Sequence, residues 1–185
     1  HIDLLVVNRK RHLVIPWILD APGPVVATST RPDTLAVTLT ARAKVGPVAV
    51  FDPMRLTGLP TRLAWSPVRG CETPRTAFVR ARGLAVGVGF GNGLADGNFW
   101  SGQTETVLRC LLHAAALGHY GAPDLYRWSL APGNAEPAEH QLGTHHNAAE
   151  GWVDALAAIR GADARTRDSV WLGVRQALAA LGDPD

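Results

Sequence analysis

Three clusters in this chain carry side chains suited to chemistry, and each suggests a different kind. "NRKR" at 8–11 lies between the apolar run "IDLLVV" and "HLVIPWIL", where a strand-to-helix turn would hold a phosphate loop. Such a loop needs G-x-x-x-x-G-K-[ST], because glycine amides wrap the phosphates, the lysine reaches the outer ones and the hydroxyl holds magnesium. The chain has no GK dipeptide and no glycine in this link, so Arg9, Lys10 and Arg11 attract phosphate through charge alone. "TSTRPD" at 28–33 brings together Thr28, Ser29, Arg31 and Asp33, a set that either faces nucleotide phosphates or caps a helix after a strand. Arg75, Arg80 and Arg82 form the third cluster, a solvated helix face or a set of DNA phosphate contacts.

Other apparent motifs dissolve on inspection. "VGVGFGNG" at 86–93 completes G-x-G-x-x-G in neither register, since Asn92 and Leu94 stand where the third glycine belongs, and it reads as a connector after a helix. His140, His145 and His146 lack metal-type spacing, because adjacent histidines point in different directions and no cysteine accompanies them. His113 falls inside a helical pattern and reads as a structural or half-exposed residue rather than a catalyst. Cys71 and Cys110 are far apart, and Cys110 sits in an apolar periodic stretch, the setting of a buried free thiol. There is no G-x-S-x-G, the elbow a hydrolase would need.

The elements that must position these residues follow from hydropathy and turn signals. "IDLLVV", "PVVATST" (24–30) and "GPVAVFDP" (46–53) are short apolar runs bounded by Pro, Gly and polar turns, as buried strands are. Between the last two, Leu35, Leu39 and Ala43 recur at helical spacing, with Pro32 and Asp33 at the start and Gly46 past the end. This series predicts an α/β architecture, a parallel sheet covered by helices with ligands at the strand ends "NRK", "TSTRPD" and "FDP". After about residue 72 the pattern is helical throughout: "TPRTAFVRARGLAVGVG", "FWSGQTETVLRCLLHAAALG", "APDLYRWSL", "AEPAEHQLG", "NAAEGWVDALAAIRG" and "DARTRDSVWLGVRQALAAL". The long second pattern aligns Trp100, Val107, Leu108, Leu111, Leu112 and Ala115, with Asp96 or Asn98 near its cap. Trp65, Trp100, Trp152 and Trp171 read as core.

Charge divides along the same line. The 185 residues sum to +2, but 1–93 hold 12 Lys+Arg against 5 Asp+Glu (+7), while 94–185 hold 6 against 11 (−5). Nucleic acid is therefore a candidate partner of the first half only. No apolar run approaches the ~18 residues of a membrane-spanning helix, and no signal peptide is visible. The start at His1 and the polar end "GDPD" read as a fragment of a longer chain.

Five blocks, "PGPVVATSTRPD", "GPVAVFDP", "RLAWSPVRGC", "FWSGQTETVLRCLLHAAAL" and "RTRDSVWLGVRQALAAL", occur in an order that resembles the TraG/TraD-type coupling proteins of conjugative type IV secretion, in their actinobacterial version. The similarity runs over about residues 12–184. Members of that family are membrane-anchored hexameric P-loop ATPases that deliver DNA and its relaxase to the secretion channel. The resemblance implies a partial nucleotide-binding, RecA-like α/β domain over 1–72 and, over 73–185, a helical part similar to the all-α domain inserted in coupling proteins. It implies ATP and Mg2+ as cofactors, DNA and relaxase as partners, and a cytoplasmic location at the membrane face in full-length members. Two departures count against ATP hydrolysis by this chain alone. The phosphate loop is shortened between "IDLLVV" and "VIPWIL", and the family's acidic magnesium-site strand would lie beyond Asp185. Arg31 also replaces the lysine usual in relatives, keeping charge without geometry. On this reading Arg9, Lys10, Thr28, Ser29, Arg31 and Asp33 lie near the nucleotide phosphates, and Arg75, Arg80 and Arg82 near DNA. The alternative is a non-catalytic module of the same descent that docks DNA or relaxase.

Overall fold

A computed structural model describes residues 10–59, 63, 65–89 and 97–183. The chain divides into two compact units, His1–Trp65 and Ser66–Asp185.

In the first unit a π-helical turn, Lys10–Val14, runs into α1 (Ile15–Asp20), and α2 spans Asp33–Ala43. Helix α2 starts where proline and acid favour it, with Pro32 at its N-cap and Asp33 in its first turn, and Arg42 lies in its last turn. The Arg42 guanidinium donates to the carbonyls of Ala21 and Gly23, both at 2.9 Å, fastening α2 to the chain that leaves α1. Its buried positions are Thr34 and Thr38, while Leu35 and Leu39 are only half-buried. The Thr38 hydroxyl is satisfied by the Thr34 carbonyl at 2.8 Å. Further on, the Asp52 carboxylate accepts from the Leu56 and Thr57 amides and the Thr57 hydroxyl, at 3.0, 2.7 and 2.7 Å. The Thr57 side-chain and backbone bonds hold that carboxyl below its ordinary pKa.

The expected parallel sheet is absent: no strand occurs among the described residues, so the P-loop-type α/β fold is overturned. "IDLLVV" lies outside the described residues. The segments 24–30 and 46–53 carry no ladder, and Val26 is 94% exposed rather than sandwiched between helices. Short apolar runs become strands only when a neighbour takes up their amides and carbonyls, and local pattern cannot supply that neighbour. Trp65 departs from expectation in the same way and is 56% exposed.

The second unit is a helical assembly built around one central helix. Its members are α3 (Pro74–Val88), α4 (Gly97–Leu117), α5 (Ala122–Leu130), α6 (Glu136–Thr144), α7 (Trp152–Arg160) and α8 (Ala164–Ala177), with 3-10 turns at Pro132–Ala135 and Ala179–Gly182. Prolines Pro74, Pro123 and Pro137 sit in first turns, where the missing amide proton is harmless. Gly89 closes α3 in the left-handed conformation, φ 62°, so Val86–Val88 of the suspected glycine-rich motif are helix; 90–96 lie outside the described residues. The Asp163 carboxylate caps α8 by accepting from the Thr166 amide at 3.1 Å, and the Thr166 side-chain and backbone bonds hold its pKa down.

Helix α4 packs against α3, α5, α6, α7 and α8. Every residue from Cys110 to Leu117 is buried, so the second half of α4 is covered all round rather than along one stripe. Its partners contribute Ala77, Ala81 and Ala85 from α3, Leu125 and Trp128 from α5, Ala138 and Leu142 from α6, Leu156 from α7, and Val170, Trp171 and Val174 from α8. The alanine row at i, i+4 and i+8 lets the α3 backbone approach α4 closely. The Trp171 indole donates to the Trp128 carbonyl at 3.2 Å, joining α8 to α5. Arg160 pairs with Glu139 and donates from Nε to the Pro132 carbonyl at 3.0 Å, joining α7 to the α6 region. Gly83 lies inside α3 with open space where a Cβ would stand. Gly83→Ala is expected to stabilise the unit by about 0.5–1 kcal/mol through helix propensity, read as an upward shift of the thermal midpoint.

Candidate functional site

The residues expected at a nucleotide sit in the first unit. Arg9 lies outside the described residues, and Lys10 opens the π-helical turn. Thr28, Ser29 and Arg31 occupy an exposed irregular segment, and the Arg31 amide donates to the Ser29 hydroxyl at 3.1 Å. Asp33 is the first residue of α2, and its carboxylate accepts from the Thr34 amide at 2.9 Å, a bond made within the helix start. Thr28 borders a shallow groove of about 200 Å³ whose other lining, Val14, Trp17, Ile18, Val25, Val26 and Ala27, is apolar. A triphosphate needs converging amides and cations, and no cationic residue lines this groove. Among the described residues, those lining this groove do not make an ATP–Mg2+ site. Among the described residues no group of three His, Cys, Asp or Glu could hold a metal ion. His145 and His146 stack at 4.7 Å, and His145 Nδ1 accepts from the Asn147 amide at 3.1 Å.

The three arginines of α3 separate into two roles. Arg80 is tied down: its Nη1 donates to the carbonyls of Ser66 and Pro67 at 3.2 and 2.9 Å, and approaches the Cys71 sulfur at 3.6 Å. It fixes the segment leading into α3. Arg75 and Arg82 are exposed, and among the described residues neither has a partner. They stand seven apart, on one helix face, with Val79 and Val86 between and beyond them. Val79 is 56% and Val86 69% exposed. The sequence Pro74–Val88 contains three arginines and no acid, so every charge the helix itself carries is positive. The alanine row lies on the opposite side of α3, which leaves the arginine–valine stripe rigidly presented to solvent.

The unit also holds a buried polar constellation that sequence pattern alone could not assemble. His113, fully buried, donates from Nδ1 to the Cys71 carbonyl at 2.7 Å and accepts at Nε2 from the Ala149 amide at 3.1 Å. A carbonyl only accepts and an amide only donates, so these partners fix one neutral tautomer. Trp152 packs edge-on to His113 at 5.1 Å, lies under the Arg109 guanidinium at 5.1 Å, and offers its carbonyl to the Cys110 thiol at 3.4 Å. Arg109, Cys110 and His113 thus clamp the start of α7 onto α4. Burial pushes the Cys110 thiol up to about 12, against the opposing pull of Arg109. Burial also raises Cys71, opposed by Arg80. With both histidine nitrogens engaged and both thiols free and buried, the cluster holds structure together and offers no nucleophile or base. The helical pattern around His113 left it as structural or half-exposed; its burial comes from partners 42 and 36 residues away.

Among the described residues no helix is long and apolar enough to cross a membrane. Comparison with protein-family models, with curated proteins and with solved structures finds no match to this chain.

Proposed function

We propose that this chain is part of, or descends from, a conjugative coupling protein and works as a non-catalytic docking module, its helical unit engaging the relaxase-type protein that accompanies transferred DNA. The observation that carries the reading is the exposed Arg75–Val79–Arg82–Val86 stripe on α3, a mixed cationic and apolar face held rigid by the core behind it. Mixed faces of this kind suit protein recognition, in which apolar anchors supply affinity and charge supplies orientation. The sequence blocks resembling coupling proteins supply the partner class. ATP hydrolysis is no part of the proposal, because the link at 8–11 has no glycine with which to wrap phosphates.

The test is calorimetric titration of the full chain with a purified relaxase from an actinobacterial conjugative element and, separately, with Mg-ATP. Micromolar binding of the relaxase with no heat from Mg-ATP is the expected result. Silence toward the relaxase overturns the docking role, and micromolar binding of Mg-ATP overturns its non-catalytic character.

A further inference from the structure

We infer that the α3 stripe is a docking surface for an acidic amphipathic helix of a partner protein. The inference rests on the docking role proposed above and names the surface and the chemistry of its occupant. Three features of the stripe define that occupant. Its residues recur at i, i+4, i+7 and i+11, covering about 16 Å of helix at 1.5 Å per residue, the reach of three turns of a second helix laid alongside. Val79 and Val86 are exposed branched apolar side chains one heptad apart, so a complementary surface must offer apolar groups at matching intervals. Arg75 and Arg82, also one heptad apart and unpartnered among the described residues, call for anionic groups flanking those apolar ones, which on a protein are carboxylates. Apolar residues at helical intervals bordered by Asp or Glu describe an acidic amphipathic helix.

Duplex DNA meets only half of these requirements. Phosphates would satisfy Arg75 and Arg82, but Val79 and Val86 would face a charged, hydrated backbone and gain nothing from it. Nor is Arg80 available to the surface, since it is committed to the Ser66 and Pro67 carbonyls. The valines therefore decide between the two partners.

The experiment measures binding of the full chain to a synthetic amphipathic peptide with leucines at i, i+4, i+7 and i+11 flanked by glutamates, using fluorescence anisotropy at physiological salt. A scrambled peptide of identical composition and a 20-base-pair duplex serve as the other probes. The designed peptide is expected to bind at least tenfold more tightly than the scrambled one. Affinity is expected to fall at least tenfold in Arg75→Glu/Arg82→Glu and, separately, in Val79→Ser/Val86→Ser. Arg127→Glu on α5, which changes net charge in the same direction at each substitution, is expected to leave it within twofold. Circular dichroism of each variant separates loss of binding from loss of fold, and Arg75→Ala/Arg82→Ala provides a milder pair if the reversal unfolds the helix.

Equal binding of the scrambled peptide overturns the inference by reducing the contact to net charge. Tighter binding of the duplex, lost in the arginine variants and kept in the valine variants, overturns it in favour of DNA. Relaxase titration of the same variants keeps the two proposals distinct. Relaxase binding unchanged by all four stripe substitutions leaves the docking role standing and removes this surface from it. A wild-type chain that binds the designed peptide and ignores the relaxase keeps the surface and removes the relaxase as its partner.

Discussion

His113→Ala is expected to destabilise the helical unit by about 4–6 kcal/mol, the sum of an unfilled buried site and two backbone groups left without partners. The Cys71 carbonyl and the Ala149 amide are each held by one nitrogen of a fully buried ring, at 2.7 and 3.1 Å. The bond to the Cys71 carbonyl is buried and the bond to the Ala149 amide partly buried, so the carbonyl carries the larger share of the loss. Because domains of this size are held by only about 5–15 kcal/mol, the variant is expected to lose a large share of its total stability. Chemical denaturation followed at 222 nm measures the effect. Two further variants resolve it. In His113→Asn the side-chain amide overlays Nδ1 and keeps the Cys71 bond, whereas in His113→Gln the terminal oxygen overlays Nε2 and keeps the Ala149 bond. Both are expected to fall between wild type and alanine. A loss below about 1 kcal/mol in the alanine variant would show that the ring is not a keystone. The consequence reaches the surface, since the Cys71 segment leads directly into α3 and helps set where its stripe points.

The second large effect concerns alkaline pH. Cys110 ionises at about 12 in the folded chain, against an ordinary value of 9.0, because burial penalises the thiolate. Between those values the unfolded chain releases the thiol proton and the folded chain retains it. The stabilisation is therefore complete below pH 9 and is lost as pH rises through the folded value, by up to about 4 kcal/mol at 12. Denaturation midpoints at pH 8, 9, 10 and 11 are expected to fall more steeply in wild type than in Cys110→Ala, since the variant removes this proton. Parallel profiles would rule out the linkage. At neutral pH the same burial makes Cys110 unreactive, so a thiol reagent is expected to modify it only after unfolding.

Helix positions were legible in advance because their signals are local. Proline at Pro74, Pro123 and Pro137 starts helices, glycine at Gly89 and Gly161 ends them, and the 3.6-residue recurrence of Leu, Val and Ala marks their buried sides. The helix expected after Pro32 forms for the same reason. The strands expected at 24–30 and 46–53 were read from equally local signals and do not form, since a strand exists only through its neighbour's backbone. Trp65 shows the same limit, for hydrophobic character alone does not put a side chain inside.

The candidate surface was half legible. The sequence grouped Arg75, Arg80 and Arg82 as one solvated helix face. Only the packed structure separated Arg80, through its bonds to Ser66 and Pro67, and exposed Val79 and Val86 as the stripe's apolar members. The sequence alone thus located the helical segments and the place where positive charge collects, because propensity, capping and charge act over a few residues. Tertiary structure decided which arginine is structural, which valines face water, and how His113 joins segments tens of residues apart, because burial and hydrogen bonding depend on partners that chain order does not name.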